Sequence, residues 1–212
     1  MTRLGILLSG RGSNFLAIAD AIAAGRLQDA EISIVISNRA EAPGVVAAAE
    51  RGLPTRVVES RGRKRTEQDA EIVACLRDHG VELVCMAGYM RLLSPEFVAA
   101  FPDAILNIHP SLLPAFPGLD AQRQALEYGV GLTGCTVHFV DDDLDHGPIV
   151  LQRATPVLAG DDEATLSARI LEQEHLAYPE AIARVIGGKY ALQGRRYVLR
   201  EAAEAKPPEE KR

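Results

Sequence analysis

The sequence predicts a doubly wound α/β domain, a mostly parallel sheet covered by helices on both faces, with an antiparallel C-terminal portion. Three observations carry that reading. Short β-rich apolar runs alternate with longer helical patterns through the first 110 residues, the strand–helix–strand grammar of parallel sheets. Those runs are almost continuously apolar, as expected of strands buried on both sides. After residue 130 the grammar changes, and two β-type runs follow one another across a short acidic turn, which predicts an antiparallel pair.

In order, the strand runs are RLGILL (3–8), EISIVIS (31–37), LPTRVVE (53–59), VELVCMAG (81–88) and AILNIH (104–109). Helical patterns between them cover Asn14 to Ala24, Pro43 to Arg51, Thr66 to His79 and Pro95 to Ala100. Gly80 follows the third helix as a C-terminal cap. TGCTVHFVD (133–141) and GPIVLQRATPV (147–157) form the antiparallel pair. A long helix from Asp162 to Gly187 is expected to bend near Pro179. YALQGRRYVLR (190–200) reads as a small hairpin around Gly194, and the charged tail EAAEAKPPEEKR as disordered. The expected division is one domain over 1–188, in two halves (1–100 and 101–188), then the hairpin and tail (189–212).

At 212 residues, 47% hydrophobic and 25% charged, the chain suits one domain with a sizeable core. A net charge of −6 argues against a general nucleic-acid binder, which shows a basic face. Cys75, Cys85 and Cys135 sit in apolar runs without CxxC spacing, so they read as reduced core residues of a cytoplasmic protein. The N-terminus reads as a first strand rather than a signal h-region. No run approaches the ~18 apolar residues of a membrane span.

Three stretches could carry chemistry. SGRGSNF follows the first strand: Gly10 and Gly12 permit tight turns, and Ser13 and Asn14 suit a helix start. A helix N-terminus offers free N–H groups to a phosphate. Phe15 stands where a dinucleotide fingerprint needs its third glycine, and no Gly-Lys-Ser/Thr follows. A small phosphomonoester therefore fits better than NAD or ATP; a plain strand-to-helix turn is the bland alternative.

In ILNIHPSLLPAFPG (105–118), Asn107 and His109 are two apart and so share one face of a strand. Pro110 keeps His109 extended, and the pair sits at a strand's carboxyl end, where ligands bind in open α/β sheets. Histidine is the commonest general acid or base, although a structural histidine fits as well. In DDDLDHG (141–147), four carboxylates in five positions need a reason or full solvation. The EF-hand pattern fails, since His146 and Gln152 occupy its Gly and Glu places. An aspartate here could instead orient His109 and stabilise its charged form. RGRKR (61–65) reads as a solvated basic loop, and His79 and His138 as structural. Nothing places a base beside Cys135, and neither a Gly-x-Ser-x-Gly elbow nor zinc-ligand spacing is present.

Together SGRGSN, LNIHPSLLPAFPG and GCTVHFVDDDLDHGPIVLQ resemble the 10-formyltetrahydrofolate-dependent formyltransferases, over Leu4 to about Gly187. SGRGSN, QEHLAYP (173–179) and the single-domain length point to the branch acting on glycinamide ribonucleotide in purine biosynthesis. The resemblance implies transfer of a formyl group from 10-formyltetrahydrofolate, the cosubstrate, to that amine, with no metal. It makes His109 the catalytic acid, Asn107 its polarising neighbour and Asp145 the carboxylate that holds His109 charged. Gly12, Ser13, Asn14 and Glu174 would bind the ribonucleotide. Arg65, Met90, Arg91, Leu92, Leu93, Asn107, Asp141, Asp142, Asp143 and Leu144 would line the folate pocket. It also implies a cis bond before Pro114. His146 stands where the family often has Gly, a departure that bears on loop shape.

The expected partners are small molecules, without nucleic acid or membrane, for a monomer or homodimer. Three alternatives remain at this stage: a formyltetrahydrofolate hydrolase, a methionyl-tRNA formyltransferase-like enzyme, and a non-catalytic module that binds phosphate ligands.

Overall fold

Strand β1 (Thr2–Leu8) is apolar on both faces, and the chain is wound to cover both. A computed structural model describes residues 1–200; the tail expected to be disordered, 201–212, lies outside them. The remaining strands are β2 (Ala30–Ser37), β3 (Thr55–Val57), β4 (Leu83–Met86), β5 (Ile105–His109), β6 (Leu132–Phe139), β7 (Ile149–Pro156), β8 (Tyr190–Gln193) and β9 (Arg196–Leu199). They form one nine-stranded sheet in the order β3-β2-β1-β4-β5-β6-β7-β9-β8. β1 to β5 run parallel, β6 is antiparallel to both β5 and β7, and β8–β9 is a hairpin joined to β7 through Ile149 and Arg196.

Helices α1 (Ser13–Ala23), α2 (Pro43–Glu50), α3 (Arg65–Asp78), α4 (Pro95–Ala100), α5 (Ala121–Tyr128) and α6 (Glu163–Ile186) complete the fold. Alternation along β1 sends Leu4, Ile6 and Leu8 to a core shared with Phe15 and Ile18 of α1 and with Ile170 and Tyr178 of α6. Leu7 faces the opposite core, with Ile72 and Leu76 of α3 and Phe97 of α4. Two cores, one on each face, are what continuous apolar strands require. Among the described residues, no helix is long and apolar enough to cross a membrane.

The strands and helices of the sequence reading are present, with bounds shifted by a few residues. Helix α5 was not anticipated. In α6, the Asp162 carboxylate accepts from Thr165 N (2.8 Å) while Thr165 Oγ1 accepts from Asp162 N (2.9 Å), a reciprocal cap. The helix runs without a break through Pro179. Its Tyr178 hydroxyl lies 3.0 Å from the Met86 carbonyl and 2.9 Å from that of Leu106, tying α6 to the ends of β4 and β5.

Candidate active site

The strand order turns back between β1 and β4, where a doubly wound sheet opens a crevice at its carboxyl edge. Ser9, just after β1, spans it by accepting a hydrogen bond from Met90 N, just after β4 (2.8 Å). The SGRGSN turn lies on the β1 side. Gly12 caps α1 with φ 73°, a left-handed conformation that favours glycine, and a Cβ there would press on the Gly44 backbone at 3.1 Å. Among the described residues no side chain caps the α1 N-terminus, which leaves its first N–H groups open to an anion. Asn14, in the first turn, donates from Nδ2 to Glu174 Oε2 of α6 (2.7 Å), bringing together two residues 160 positions apart.

Glu174 is buried, and burial pushes its carboxyl above the usual range, against the opposing hydrogen bond from Asn14. Raised in the folded state only, that pKa makes the native form bind more protons than the unfolded chain above about pH 4.5. Stability conferred by this group is thus complete at acid pH and lost as pH rises through the folded value. Glu174→Gln is therefore expected to be at least as stable as wild type at pH 7, its advantage fading toward pH 4.5. Thermal unfolding across that range measures it.

At the end of β5, Asn107 and His109 pair across the strands with His138 and Thr136 of β6. The antiparallel register sets His138 beside Asn107, with Asn107 Nδ2 and His138 Nε2 3.3 Å apart. His138 Nδ1 lies 2.7 Å from the Phe139 carbonyl and donates to it. Burial holds the His138 pKa down, so the ring is neutral and Nε2 is left as an acceptor. That fixes the Asn107 amide with its NH2 toward the histidine. One of its two N–H bonds is used; among the described residues the other has no partner.

Asp145 joins these groups. Its side chain is 9% exposed, with Oδ2 3.4 Å from His109 Nδ1 and Oδ1 3.8 Å from His138 Nε2. Oδ2 also accepts from Gly118 N (2.8 Å). The other ring nitrogen of His109, Nε2, lies 2.9 Å from the Phe116 carbonyl. Both nitrogens thus face acceptors.

The loop that supplies Phe116 is pinned from β6 and β7. Thr136 Oγ1 accepts from Leu113 N (3.0 Å) and Gln152 Nε2 (2.9 Å) and donates to the Ser111 carbonyl (2.7 Å). Gln152 Nε2 also donates to the Leu113 carbonyl (2.9 Å). The Leu113–Pro114 bond is cis. The unanticipated α5 sets Tyr128 edge-on against Phe116, ring centroids 5.8 Å apart.

The four carboxylates of 141–145 do different things. Asp141 Oδ2 takes a 2.9 Å hydrogen bond from His146 Nδ1, and its Oδ1 accepts from Asp143 N (3.2 Å). Asp142, Asp143 and Leu144 are exposed, and Asp145 alone turns inward. On the opposite wall Met90, Leu92 and Arg65 are exposed and Leu93 is half-buried. The Arg91 guanidinium turns away to donate to the carbonyls of Ser60 (3.1 Å) and Arg63 (3.4 Å). His109 and Asp145 thus meet, with Asn107 joined to them through His138, and Asn14 meets Glu174. No hydrogen bond or ion pair among the described residues links the expected folate wall at 90–93 to 141–144.

A match to the formyl transferase family covers residues 2–182. Phosphoribosylglycinamide formyltransferase of Escherichia coli (strain K12) is 42% identical over 188 residues, 88% of each chain. The trifunctional purine biosynthetic protein adenosine-3 of Homo sapiens is 47% identical over 191 residues, 90% of this chain. Of that relative's own length the chain spans only 19%. The crystal structure of glycinamide ribonucleotide transformylase 1 from Symbiobacterium toebii superposes with a TM-score of 0.91 at 50% identity, covering 94% of each chain. With a family match over nearly its whole length and relatives this similar from end to end, the chain belongs to the formyl transferase family.

Proposed function

We propose that this protein transfers the formyl group of 10-formyltetrahydrofolate to the amine of glycinamide ribonucleotide, giving formylglycinamide ribonucleotide and tetrahydrofolate in purine biosynthesis. The observation that carries the reading is the convergence of Asp145 and His109, with Asn107 fixed beside them by His138, at the carboxyl edge that also holds the free α1 N-terminus. The names of the E. coli protein and of the S. toebii structure support the substrate.

The phosphate of the ribonucleotide sits at Gly12, Ser13 and Asn14, where backbone N–H groups point outward. Glu174, held by Asn14, accepts from hydroxyl or amine protons of the same substrate. The folate enters between the 90–93 segment and the 141–145 loop, with Arg65 available to a carboxylate at the rim.

The amine nitrogen attacks the formyl carbon on N10, and negative charge develops on the formyl oxygen. That oxygen is met by the free N–H of Asn107 and by His109. At 3.4 Å the contact from His109 Nδ1 to Asp145 is longer than a good hydrogen bond, so this N–H can be shared with a developing oxyanion while Asp145 still holds the ring. A preorganised donor of this kind contributes about 2.7–4 kcal/mol to the transition state. Asp145 keeps the ring oriented and balances its charge. When the C–N10 bond breaks, N10 takes a proton, from His109 or through a water, and the amine gives up its own. Holding both substrates in place can contribute up to about 7–11 kcal/mol.

The test is to incubate the protein with 10-formyltetrahydrofolate, with and without glycinamide ribonucleotide, and follow tetrahydrofolate formation by absorbance. Turnover that depends on the amine is expected. Formyl loss at the same rate without it would overturn the reading in favour of hydrolysis.

A further inference from the structure

The C-terminal hairpin lies beyond the family match, which ends at residue 182, yet it packs on both stems of the loop that carries Asp145. At the entry stem, Tyr197 of β9 sets its ring edge-on against Phe139, centroids 5.5 Å apart. Its hydroxyl donates to the Arg184 carbonyl (3.3 Å) and it stacks on Tyr190 (5.3 Å), so the contact is held from behind. At the exit stem, Arg196 pairs with Ile149 in the sheet. Between them, Arg195 at the hairpin turn donates from Nη2 to the His146 carbonyl, with Nη1 3.1–3.2 Å from the imidazole nitrogens. The same imidazole holds Asp141 at 2.9 Å and faces Asp143 at 3.8 Å. Where a glycine would leave this position bare, His146 joins the acidic loop to the hairpin.

The loop needs such support. Asp145 adopts a left-handed conformation (φ 50°), uncommon for a residue with a side chain. Asp142 to Leu144 and His146 are exposed and gain little from burial.

We propose that the β8–β9 hairpin braces the 141–146 loop, with Arg195 as a positioning residue that sets the folate side of the site through His146. The inference rests on the formyl-transfer reading for its functional consequence. Arg195 touches no reacting atom, so its loss acts on how well the loop is held. The consequence falls on folate, since the ribonucleotide turn at Gly12 to Asn14 belongs to β1, α1 and α6.

Steady-state kinetics of Arg195→Ala, Arg195→Lys and Arg196→Ala, varying each substrate in turn, test the brace. Arg195→Ala is expected to raise the folate KM about fivefold and lower kcat a few-fold, the scale of one lost hydrogen bond, with an unchanged ribonucleotide KM. Lysine, which can still donate to the His146 carbonyl, should fall between, and Arg196→Ala should match wild type. Were Arg195→Ala not to fold, the lysine variant carries the same selective rise at smaller size. Wild-type folate KM in the folded variant, or equal rises in both KM values, would overturn the proposal. Equilibrium binding of tetrahydrofolate, weakened by Arg195→Ala, reads the brace even if wild type transferred no formyl group, so the two readings fail separately.

Discussion

Replacing His109 with alanine is expected to lower kcat for formyl transfer about 10³-fold, the range for an oxyanion donor that also moves a proton. KM values for both substrates should change little, because the imidazole acts on charge that develops only in the transition state. The surroundings of His109 give reason to expect a clean result. It is 5% exposed, and among the described residues its nitrogens face the Phe116 carbonyl and the Asp145 carboxylate alone. Its truncation leaves two acceptors short of a donor rather than collapsing a core. Asp145→Ala should fall in the same direction, since it removes the charge facing the ring and the acceptor for Gly118 N. Turnover near the wild-type rate in either variant would remove the pair from the mechanism.

Gly147→Ala is expected to be among the most damaging changes that add a single methyl group. A Cβ at 147 would overlap the carbonyl oxygen and carbon of Phe139, which are backbone atoms that no rotamer change can move aside. The strands are joined there by a hydrogen bond from Phe139 N to the Pro148 carbonyl (2.9 Å). To admit the methyl group, the stems of the loop must part, and Asp145 sits two residues away. Overpacking of this kind costs about 1–3 kcal/mol. A lowered Tm and a fall in kcat larger than that of Arg195→Ala are expected together. Thermal unfolding and turnover on one preparation check both; normal values for each would show that the loop yields without cost.

Much of this was legible in the sequence, and for identifiable reasons. Near-continuous apolar runs such as EISIVIS imposed a sheet covered on both faces, and Gly80 marked the end of α3. Asn107 and His109 could be paired because strand periodicity alone sets residues i and i+2 on one face. His138 could not be seen as their neighbour without the register between β5 and β6. Once the antiparallel pairing is known, position 138 falls opposite 107 directly. The support under Phe116 was hidden for a similar reason, since Thr136 and Gln152 reach it from two other strands through side chain-to-backbone hydrogen bonds. Helix α5 is short and polar, AQRQALEY, follows a proline-rich loop and buries only the small side chains of Ala121 and Ala125, so its apolar face was too slight to stand out. Arg91 shows the limit of placing a whole residue in a pocket: its backbone lies on the expected folate wall while its guanidinium holds the 60–63 loop.

The most direct measurement is a crystal structure with glycinamide ribonucleotide and an unreactive 10-formyl folate analogue bound together. The expected result places the phosphate on the N–H groups of Gly12 to Asn14. It also places the formyl oxygen within hydrogen-bonding reach of Asn107 Nδ2 and the His109 ring, with the amine nitrogen poised on the carbonyl carbon. A formyl group bound away from Asn107 and His109, with the amine out of reach of its carbon, would contradict the assignment of these residues to formyl transfer.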